Sequence, residues 1–342
     1  MTAASATEAT RCAIRAGRDS DADDFITLIG TCWAEYPGTV FDVDAELPEL
    51  RALATYCAGK EGALWAAEAN GHVVGMIAIM PESEGAWEIC RMYVLAPWRG
   101  TGLAHRLLDQ AEAHARAAGA TRLKLWSDTR FDRAHRFYER RGYVRAGPIR
   151  VLQDLSNSLE FGYAKPVHGV ETLDAAAAFS AERCLAEVLI ACVNDGVAES
   201  CLPTLRPEAA RAFWRRKASE VANGGRVLIA GWADGALAGC VMLDLDTPAN
   251  QQHRAEVQTL LVHPLARRRG LARALMRRLE AEAGRAGRVL LTLGTNAGDG
   301  TEALYRAEGW SEAGRIPGYA LNADGTPCDR LYFWKRVTAE SG

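Results

Sequence analysis

The sequence has no run of apolar residues that is free of charges and long enough to span a membrane. Its most apolar stretch, 175–193, contains Glu182, Arg183 and Glu187, which is typical of a buried amphipathic helix. The first ten residues are small and polar and lack the apolar core of a secretory signal. The formal net charge is only −3, so no general attraction to nucleic acid or anionic membranes is expected. We therefore expect a cytoplasmic protein with neither nucleic-acid nor membrane partners.

Several cofactor motifs are also missing. The nine cysteines form no Cys-x-x-Cys pair and no Cys/His spacing typical of zinc, which argues against a disulfide framework and against a metal site. No Gly-x-x-x-x-Gly-Lys-Ser/Thr occurs, so a P-loop is not predicted. The segment 100–105 begins like a dinucleotide fingerprint but lacks the third small residue. We expect neither a metal nor a nicotinamide cofactor.

The chain does contain a long internal repeat. A β-like run at 88–94 has a counterpart at 256–262, and the Arg/Gly-rich turn that follows it at 99–104 has one at 267–272. An aromatic segment at 137–143 corresponds to a similar segment at 304–310. Three landmarks kept in order predict tandem domains, and 342 residues suit about two domains. A Pro/Gly break at 166–169 predicts their boundary, which gives domains 1–166 and 167–342.

Periodicity predicts the same order of elements in both halves. In the first half, helical spacing and alternation predict helices at 19–36, 102–118 and 133–141 and strands at 63–68, 73–80, 87–94, 122–126 and 158–165. In the second half they predict helices around 173–193 and at 207–222, 271–283 and 301–308, and strands at 227–232, 237–244, 289–293 and 330–337. Hairpins interrupted by helices are typical of an α/β fold (α+β in some schemes). Each domain is then a mixed, mainly antiparallel sheet with helices on both faces.

The repeated turn suits an anion. A strand that leads through such a turn into a helix presents unpaired backbone amides and the positive end of the helix dipole. Gly102 and Gly270 would let a phosphate approach the backbone closely. An ordinary strand-to-helix turn with surface arginines is the alternative, which two copies in one context disfavour. The sequence therefore predicts a phosphate or pyrophosphate site in each half.

The complete pattern in each half resembles the Gcn5-related N-acetyltransferase (GNAT) superfamily. It consists of a β-run, Arg-x-x-Gly-x-Ala, and a later aromatic-Tyr or Leu-Tyr segment with a glycine. The second half also resembles the tabtoxin-resistance type at 253–258, 264–267 and 314–319. The resemblance implies acetyl-CoA in a V-shaped opening between two splayed strands. It places the pyrophosphate on Arg99, Gly100, Thr101, Gly102, Leu103 and Ala104, and on Arg267, Arg268, Arg269, Gly270, Leu271 and Ala272. It places the pantetheine arm along Met92, Tyr93 and Val94, and along Leu260, Leu261 and Val262.

The resemblance further implies direct attack of an amine on the thioester. Tyr138 and Tyr305 match the tyrosine that would protonate the leaving thiolate, although both also suit an aromatic core. Glu88 and Glu256 take matching places on their strands and are candidate bases, working through water or with a raised pKa. Solvated glutamates at a strand end are the alternative. Gly294 stands where tabtoxin-resistance relatives tend to carry an acidic residue.

Acidic residues near the acceptor side are Glu35, Asp42, Asp44 and Glu46 in the first half and Asp195 and Glu199 in the second. They either receive a cationic amine or are solvated loops. Three functions stay open: N-acetylation of a small-molecule amine such as a metabolite, an amino-acid-like compound or an antibiotic; N-acetylation of a protein or peptide; and an acyl-CoA-binding sensor or scaffold in which one or both domains are not catalytic. The motifs favour no particular acceptor amine, acyl chain length or oligomeric state.

Overall fold

The computed structural model describes residues 12–83, 85–197, 205–322 and 325–338. The chain divides into two compact units. The first contains the described residues up to Phe137 together with Arg145–Val167, and the second contains Tyr138–Val144 together with the described residues from His168 onward. The assignment of one domain to 1–166 and another to 167–342 stays a prediction.

The first sheet has eight strands in the order β1-β2-β3-β4-β5-β8-β6, with β7 beside β8. The pair β4–β5 is parallel, and the other pairs with a described register are antiparallel. The strands are β1 (Ala13–Ala16), β2 (Ala63–Ala69), β3 (His72–Ser83), β4 (Ala86–Val94), β5 (Arg122–Asp128), β6 (Val144–Arg145), β7 (Arg150–Val151) and β8 (Leu159–Pro166).

Helices lie on both faces of this sheet because apolar side chains alternate along its strands. Met76 of β3 packs with Phe25 and Ile29 of the first helix, whereas the neighbouring Gly75 faces Leu107 on the other side. The helices are α1 (Ala22–Trp33), α2 (Val43–Glu46), α3 (Leu53–Gly59), α4 (Leu103–Ala117) and α5 (Asp132–Arg140).

The second sheet has seven strands in the order β14-β15-β13-β12-β11-β10-β9. Its one parallel pair among the described registers is β12–β13. The strands are β9 (Gly169–Leu173), β10 (Arg226–Ala233), β11 (Ala236–Asp244), β12 (Arg254–Val262), β13 (Leu290–Asn296), β14 (Ser311–Leu321) and β15 (Pro327–Arg336). The helices are α6 (Ala175–Ser180), α7 (Glu182–Asn194), α8 (Pro207–Ala222), α9 (Leu271–Arg285) and α10 (Glu302–Ala307).

The faces of the second sheet divide in the same way. Leu228 and Met242 pack in the cluster formed with α7 and α8, whereas Ile229 and Val241 pack in the cluster formed with α9. The predicted α/β class, with mixed, mainly antiparallel sheets covered on both faces, is confirmed in both halves. No helix in the described ranges is both long enough and apolar enough to cross a bilayer.

Most predicted elements are present, and the differences are local. The helix predicted at 207–222 coincides with α8, while the one predicted at 19–36 is shorter, because α1 begins at Ala22 and ends at Trp33. Strands β2 and β3 are joined by an Asn-Gly hairpin turn, with Asn70 and Gly71 at φ of 54° and 80°. Strand β14 has no counterpart among the predicted elements, because its residues include glycine and proline and the strand bulges near Pro317.

Candidate functional site

Each sheet opens at its central parallel pair. The pairing of β4 with β5 runs from Ala86 to Ile89, and that of β12 with β13 from Arg254 to Glu256. Beyond these residues, within the described parts of the chain, the two strands of each pair are not hydrogen-bonded to one another. A gap therefore lies beside the second half of β4 and of β12, where the resemblance implied a V-shaped opening.

A β-bulge accompanies each opening. Arg91 and Thr259 adopt left-handed backbone, with φ of 53° and 54°. The register with the neighbouring antiparallel strand shifts at the same places, between Met76 and Ala78 and between Cys240 and Met242. A bulge bends its strand and increases its twist. Sequence reasoning missed this feature because neither residue is a glycine or an asparagine, although the two bulges are equivalent positions of the repeat.

The residues expected to lie along the pantetheine arm follow the bulges. On one edge, Tyr93 pairs with Met76 and Leu261 with Cys240, and the other edge borders the gap. The Tyr93 hydroxyl accepts a hydrogen bond from Trp33 Nε1 at 3.1 Å, and Leu261 is buried in the core. These side chains are therefore occupied by packing, and backbone groups are what this part of each strand offers to a ligand.

The two Arg/Gly-rich turns share one backbone conformation. Gly100 and Gly102 have φ of 77° and 86°, and their counterparts Arg268 and Gly270 have φ of 61° and 84°. Helices α4 and α9 begin directly afterwards, and their N-cap residue is a glycine, which has no side chain to cap the first-turn amides. No described atom lies within 4 Å of a Cβ built on Gly102 or Gly270. Each turn thus presents uncovered helix amides to an anion.

The side chain of the first arginine in each turn contacts the strand that precedes the turn. Arg99 donates from Nε to the Val94 carbonyl at 2.9 Å and binds both carboxylate oxygens of Glu35 at 2.6 and 2.7 Å. Arg267 donates from Nε to the Val262 carbonyl at 3.2 Å and forms an ion pair with Asp195. Both guanidinium groups brace the end of the strand beside the gap, so the backbone amides are what each turn offers to an anion. In the third position of the second turn, Arg269 pairs with Asp234 at 2.7 Å.

Most of the acidic residues considered for a cationic amine contact other groups of the protein. Glu35 and Asp195 are held by the two arginines, and Asp42 caps α2 by accepting from the Ala45 amide at 3.0 Å. Asp44 pairs with Arg51 at 2.7 Å, and Glu46 accepts from the Leu155 amide at 2.5 Å. Glu199 lies outside the described residues.

A cysteine completes each brace. Cys32 Sγ lies 3.7 Å from the Val94 carbonyl oxygen, and Cys192 Sγ lies 3.3 Å from that of Val262. Burial raises the pKa of both thiols, so each stays a protonated donor. The signal was present in the sequence: Cys-x-x-Glu at 32–35 and Cys-x-x-Asp at 192–195 occur in both halves.

The two candidate bases occupy matching positions but different environments. Glu88 pairs in the parallel register with Lys124, and Glu256 with Thr292. Glu88 is half-buried, and burial, helped by the charge of Glu82, raises the pKa of its carboxyl above the usual value. Glu256 is exposed. Burial and the raised pKa of its carboxyl make Glu88 the better placed of the two as a proton acceptor.

Both candidate tyrosines are buried among aromatic rings. Tyr138 is 7% exposed and lies edge-on to Tyr143, with ring centroids 5.9 Å apart. Tyr305 is 5% exposed, with its ring 5.6 Å from that of Phe333. In the second unit the structure brings the landmarks together, since Tyr305 and Leu271 belong to one cluster against which Leu260 and Val262 pack. Burial of this kind suits both an acid at a closed site and a core aromatic.

Gly294 stands where tabtoxin-resistance relatives tend to carry an acidic residue, and the side chain of Arg330 lies over it. A Cβ at Gly294 would lie 2.7 Å from Arg330 Nε, and Arg330 Nη2 donates to the Gly294 carbonyl at 2.9 Å. No group of three or more His, Cys, Asp or Glu side chains suited to a metal ion occurs in the part of the chain that the structure describes.

Comparison with known proteins gives matches in both halves. The family model described as "Acetyltransferase (GNAT) family" matches residues 27–143 and 196–310. The aminoalkylphosphonate N-acetyltransferase of Salmonella typhimurium is 40% identical over 82 residues, which are 22% of this chain and 53% of that protein. The IAA acetyltransferase of Azospirillum brasilense is 36% identical over 84 residues, which are 24% of this chain and 55% of that protein. The chain thus spans about half the length of these two relatives.

Among solved structures, a phosphinothricin acetyltransferase from Sinorhizobium meliloti in complex with AcCoA matches 50% of this chain and 89% of its own, with 18% identity and a TM-score of 0.43. The two family matches together cover more than half of the sequence. The chain therefore belongs to the acetyltransferase (GNAT) family and carries the family pattern once in each half.

Proposed function

We propose that this protein is an acetyl-CoA-dependent N-acetyltransferase that acts on the primary amine of a small molecule, with one acetyltransferase domain in 1–166 and another in 167–342. The observation that carries the proposal is the repeated combination of a gap beside a bulged strand and a glycine-capped helix. The cytoplasmic location expected from the sequence belongs to the same proposal. The likeness of the second half to the tabtoxin-resistance type stays a prediction.

Backbone groups would hold the co-substrate. The amides at 100–104 and 268–272 take the pyrophosphate, helped by the dipoles of α4 and α9. The pantetheine arm lies in the gap and pairs with Met92–Val94 or Leu260–Val262 as an added strand. A backbone N–H beside the bulge would then polarise the thioester carbonyl as negative charge develops on its oxygen.

The reaction needs two proton transfers. The neutral amine attacks the thioester carbon, an N–C bond forms, and the C–S bond breaks with its electron pair on sulfur. Glu88, whose pKa burial raises, accepts the proton of the amine in the first unit, directly or through a water, and Glu256 takes this part in the second. Tyr138 or Tyr305 protonates the thiolate; a phenol with a pKa near 10 and a thiol near 8.5 differ by only about 2 kcal/mol.

The named relatives support a small acceptor. One is an aminoalkylphosphonate N-acetyltransferase and another an IAA acetyltransferase. Peptide acetylation and cofactor binding without turnover are the outcomes that an experiment must separate from this proposal.

The test is thiol release from acetyl-CoA by the full chain with a panel of small amines and an N-terminal peptide. The variants are Tyr138→Phe and Tyr305→Phe. We expect small amines to accelerate release, and each substitution to slow the turnover of the proposed domain that carries it, 1–166 for Tyr138 and 167–342 for Tyr305, by 10-fold or more while acetyl-CoA still binds. Release stimulated by the peptide alone would overturn the small acceptor. Binding of acetyl-CoA without any stimulated release would make the protein a sensor.

A further inference from the structure

One face of the second sheet carries both Glu256 and an arginine. Leu291 and Leu293 point into the α9 cluster, so Thr292, Gly294 and Asn296 point to the opposite face. The registers pair Thr292 with Glu256, and Asn296 with Arg330. The glutamate, Gly294 and Arg330 therefore share the face on which α7 and α8 pack.

The guanidinium of Arg330 lies over Gly294. Nη2 donates to the Gly294 carbonyl at 2.9 Å, and Nη1 donates to Asn296 Oδ1 at 3.1 Å. Both partners are neutral, and no ion pair of Arg330 with a carboxylate occurs among the described residues, since the adjacent Asp329 pairs with Arg315 instead. Arg330 is also partly exposed. Its charge is therefore left uncompensated on a face that solvent reaches.

Arg330 and Glu256 are close enough to act on one small molecule. The Arg330 guanidinium lies over Gly294, and Gly294 is two residues along and one strand across from Glu256, which corresponds to about 8 Å between the Cα atoms of Glu256 and Gly294. Tyr332, opposite Gly294, has a pKa raised chiefly by its hydrogen bond with Tyr319, and the charges of both Arg330 and Glu256 act on it. The two charged groups thus flank a common site beside the gap.

The first unit has opposite chemistry at the matching positions. Counting from the Glu88–Lys124 pair, Gly294 and its partner Tyr332 correspond to Trp126 and its partner Gly162. Two residues further along, Asn296 and its partner Arg330 correspond to Asp128 and its partner Glu160. Glu160 accepts from Arg150 Nε at 2.8 Å, and Arg150 stacks over Trp126 at 4.3 Å. The aromatic side chain lies on β5 in the first sheet (Trp126) and on β15 in the second (Tyr332). The charged residue opposite the end of the central strand is Glu160 in the first sheet and Arg330 in the second.

We propose that Arg330 determines the acceptor specificity of the second unit, and that its acceptor is a short amine carrying a compact oxyanion, a carboxylate or a phosphonate. This inference rests on the proposed function. The oxyanion binds the guanidinium, which offers paired donors matched to such groups, and the amine then extends toward Glu256 and the gap. Glycine at 294 serves this arrangement, because any side chain there would collide with the guanidinium and a carboxylate would neutralise it.

The experiment is isothermal titration of the full chain, saturated with CoA, with 2-aminoethylphosphonate, β-alanine and propylamine. The variants are Arg330→Gln and Arg330→Lys, with Arg315→Gln on the same hairpin as a matched control, and the thermal midpoint of each checks its folding. We expect Arg330→Gln to weaken binding of the anionic probes at least 10-fold and that of propylamine less than twofold. Arg330→Lys should bind them with intermediate affinity, and Arg315→Gln should match the wild type.

The comparison of β-alanine with 2-aminoethylphosphonate identifies which oxyanion the site prefers. Equal binding of the anionic probes by wild type and Arg330→Gln would overturn the inference, as would wild-type preference for propylamine. Its failure is distinguishable from failure of the proposed function. If the anionic probes bind through Arg330 but no amine stimulates thiol release, the oxyanion site at Arg330 stands and the proposed function fails. If propylamine is acetylated and Arg330→Gln does not change binding of the anionic probes, the proposed function stands and the inference fails.

Discussion

The guanidinium of Arg99 binds both oxygens of the Glu35 carboxylate, at 2.6 and 2.7 Å, while its Nε holds the carbonyl of Val94. Glu35 lies two residues beyond the last residue of α1, and Val94 ends β4. The pair therefore fixes the end of the strand beside the gap to the end of the first helix. Arg267 and Asp195 repeat the same brace in the second unit.

Removal of this brace should cost stability. In Arg99→Gln, the Glu35 carboxylate and the Val94 carbonyl lose charged donors in a place where both side chains are less than one-third exposed. We expect a loss of about 1–2 kcal/mol in the free energy of unfolding, measured by urea denaturation. Arg51→Gln is the matched control, because the Arg51–Asp44 pair is mostly exposed and should contribute about 0.5 kcal/mol or less. Equal losses would show that the brace has no special role.

The same pair predicts a dependence of stability on pH. Hydrogen bonds from Arg99 lower the pKa of Glu35 below its ordinary value of 4.5. A carboxyl whose pKa is lower in the folded state stabilises the fold above the unfolded value and loses that contribution as pH falls through the folded value. The stability difference between wild type and Glu35→Gln should therefore be constant near pH 7 and shrink below about pH 4.5. A difference that does not change with pH would contradict this account.

The raised pKa of Glu88 predicts a pH profile for turnover. With the second unit silenced by Tyr305→Phe, thiol release should increase with pH through an apparent pKa above 4.5, the ordinary value for glutamate. Glu88→Gln should slow the first site's share of release by about 10²-fold or more and remove this limb of the profile. Glu256→Gln in the same background is the control and should leave the limb in place. A limb that persists in Glu88→Gln would assign the proton transfer to another group.

The close approach of two strands at Gly239 predicts a cost for any side chain there. A Cβ at Gly239 would lie 2.7 Å from the backbone carbonyl oxygen of Leu261, so Gly239→Ala must displace the strand beside the gap. We expect a loss of about 1–3 kcal/mol in unfolding free energy and weaker binding of CoA. Gly314→Ala, also in a strand but with no described atom within 4 Å, should change stability by about 0.5 kcal/mol or less. Similar effects of both would contradict the packing argument.

Much of the fold could be predicted from sequence because its signals are local. The periodicity of α8 and the Asn70–Gly71 turn are contained in short windows, and the repeat locates the central elements of both sheets twice. The candidate site was predicted less completely, because its decisive contacts are distant in sequence. Nothing near Arg99 indicates that Glu35 will hold its side chain, and the left-handed backbone of Arg91 follows from the sheet, since arginine has no preference for it.

The role of Gly294 also depends on a contact that is distant in sequence. From sequence it is a missing carboxylate, and only the pairing of β13 with β15 places the guanidinium of Arg330 over it. A charge reversal between Glu160 and Arg330 becomes visible once the strand registers of the two units are compared.

The central claim, that each unit binds one acetyl-CoA on a glycine-capped helix, is tested most directly by the stoichiometry of acetyl-CoA binding to the full chain in isothermal titration. The variants are Gly102→Asp and Gly270→Asp, which place a carboxylate at each turn. Gly119→Asp and Gly287→Asp are controls at open positions with φ of 83° and 68°. We expect two equivalents for the wild type and both controls, one for each turn variant and none for the double variant. Two equivalents retained by the double variant, or none bound by the wild type, would contradict the claim.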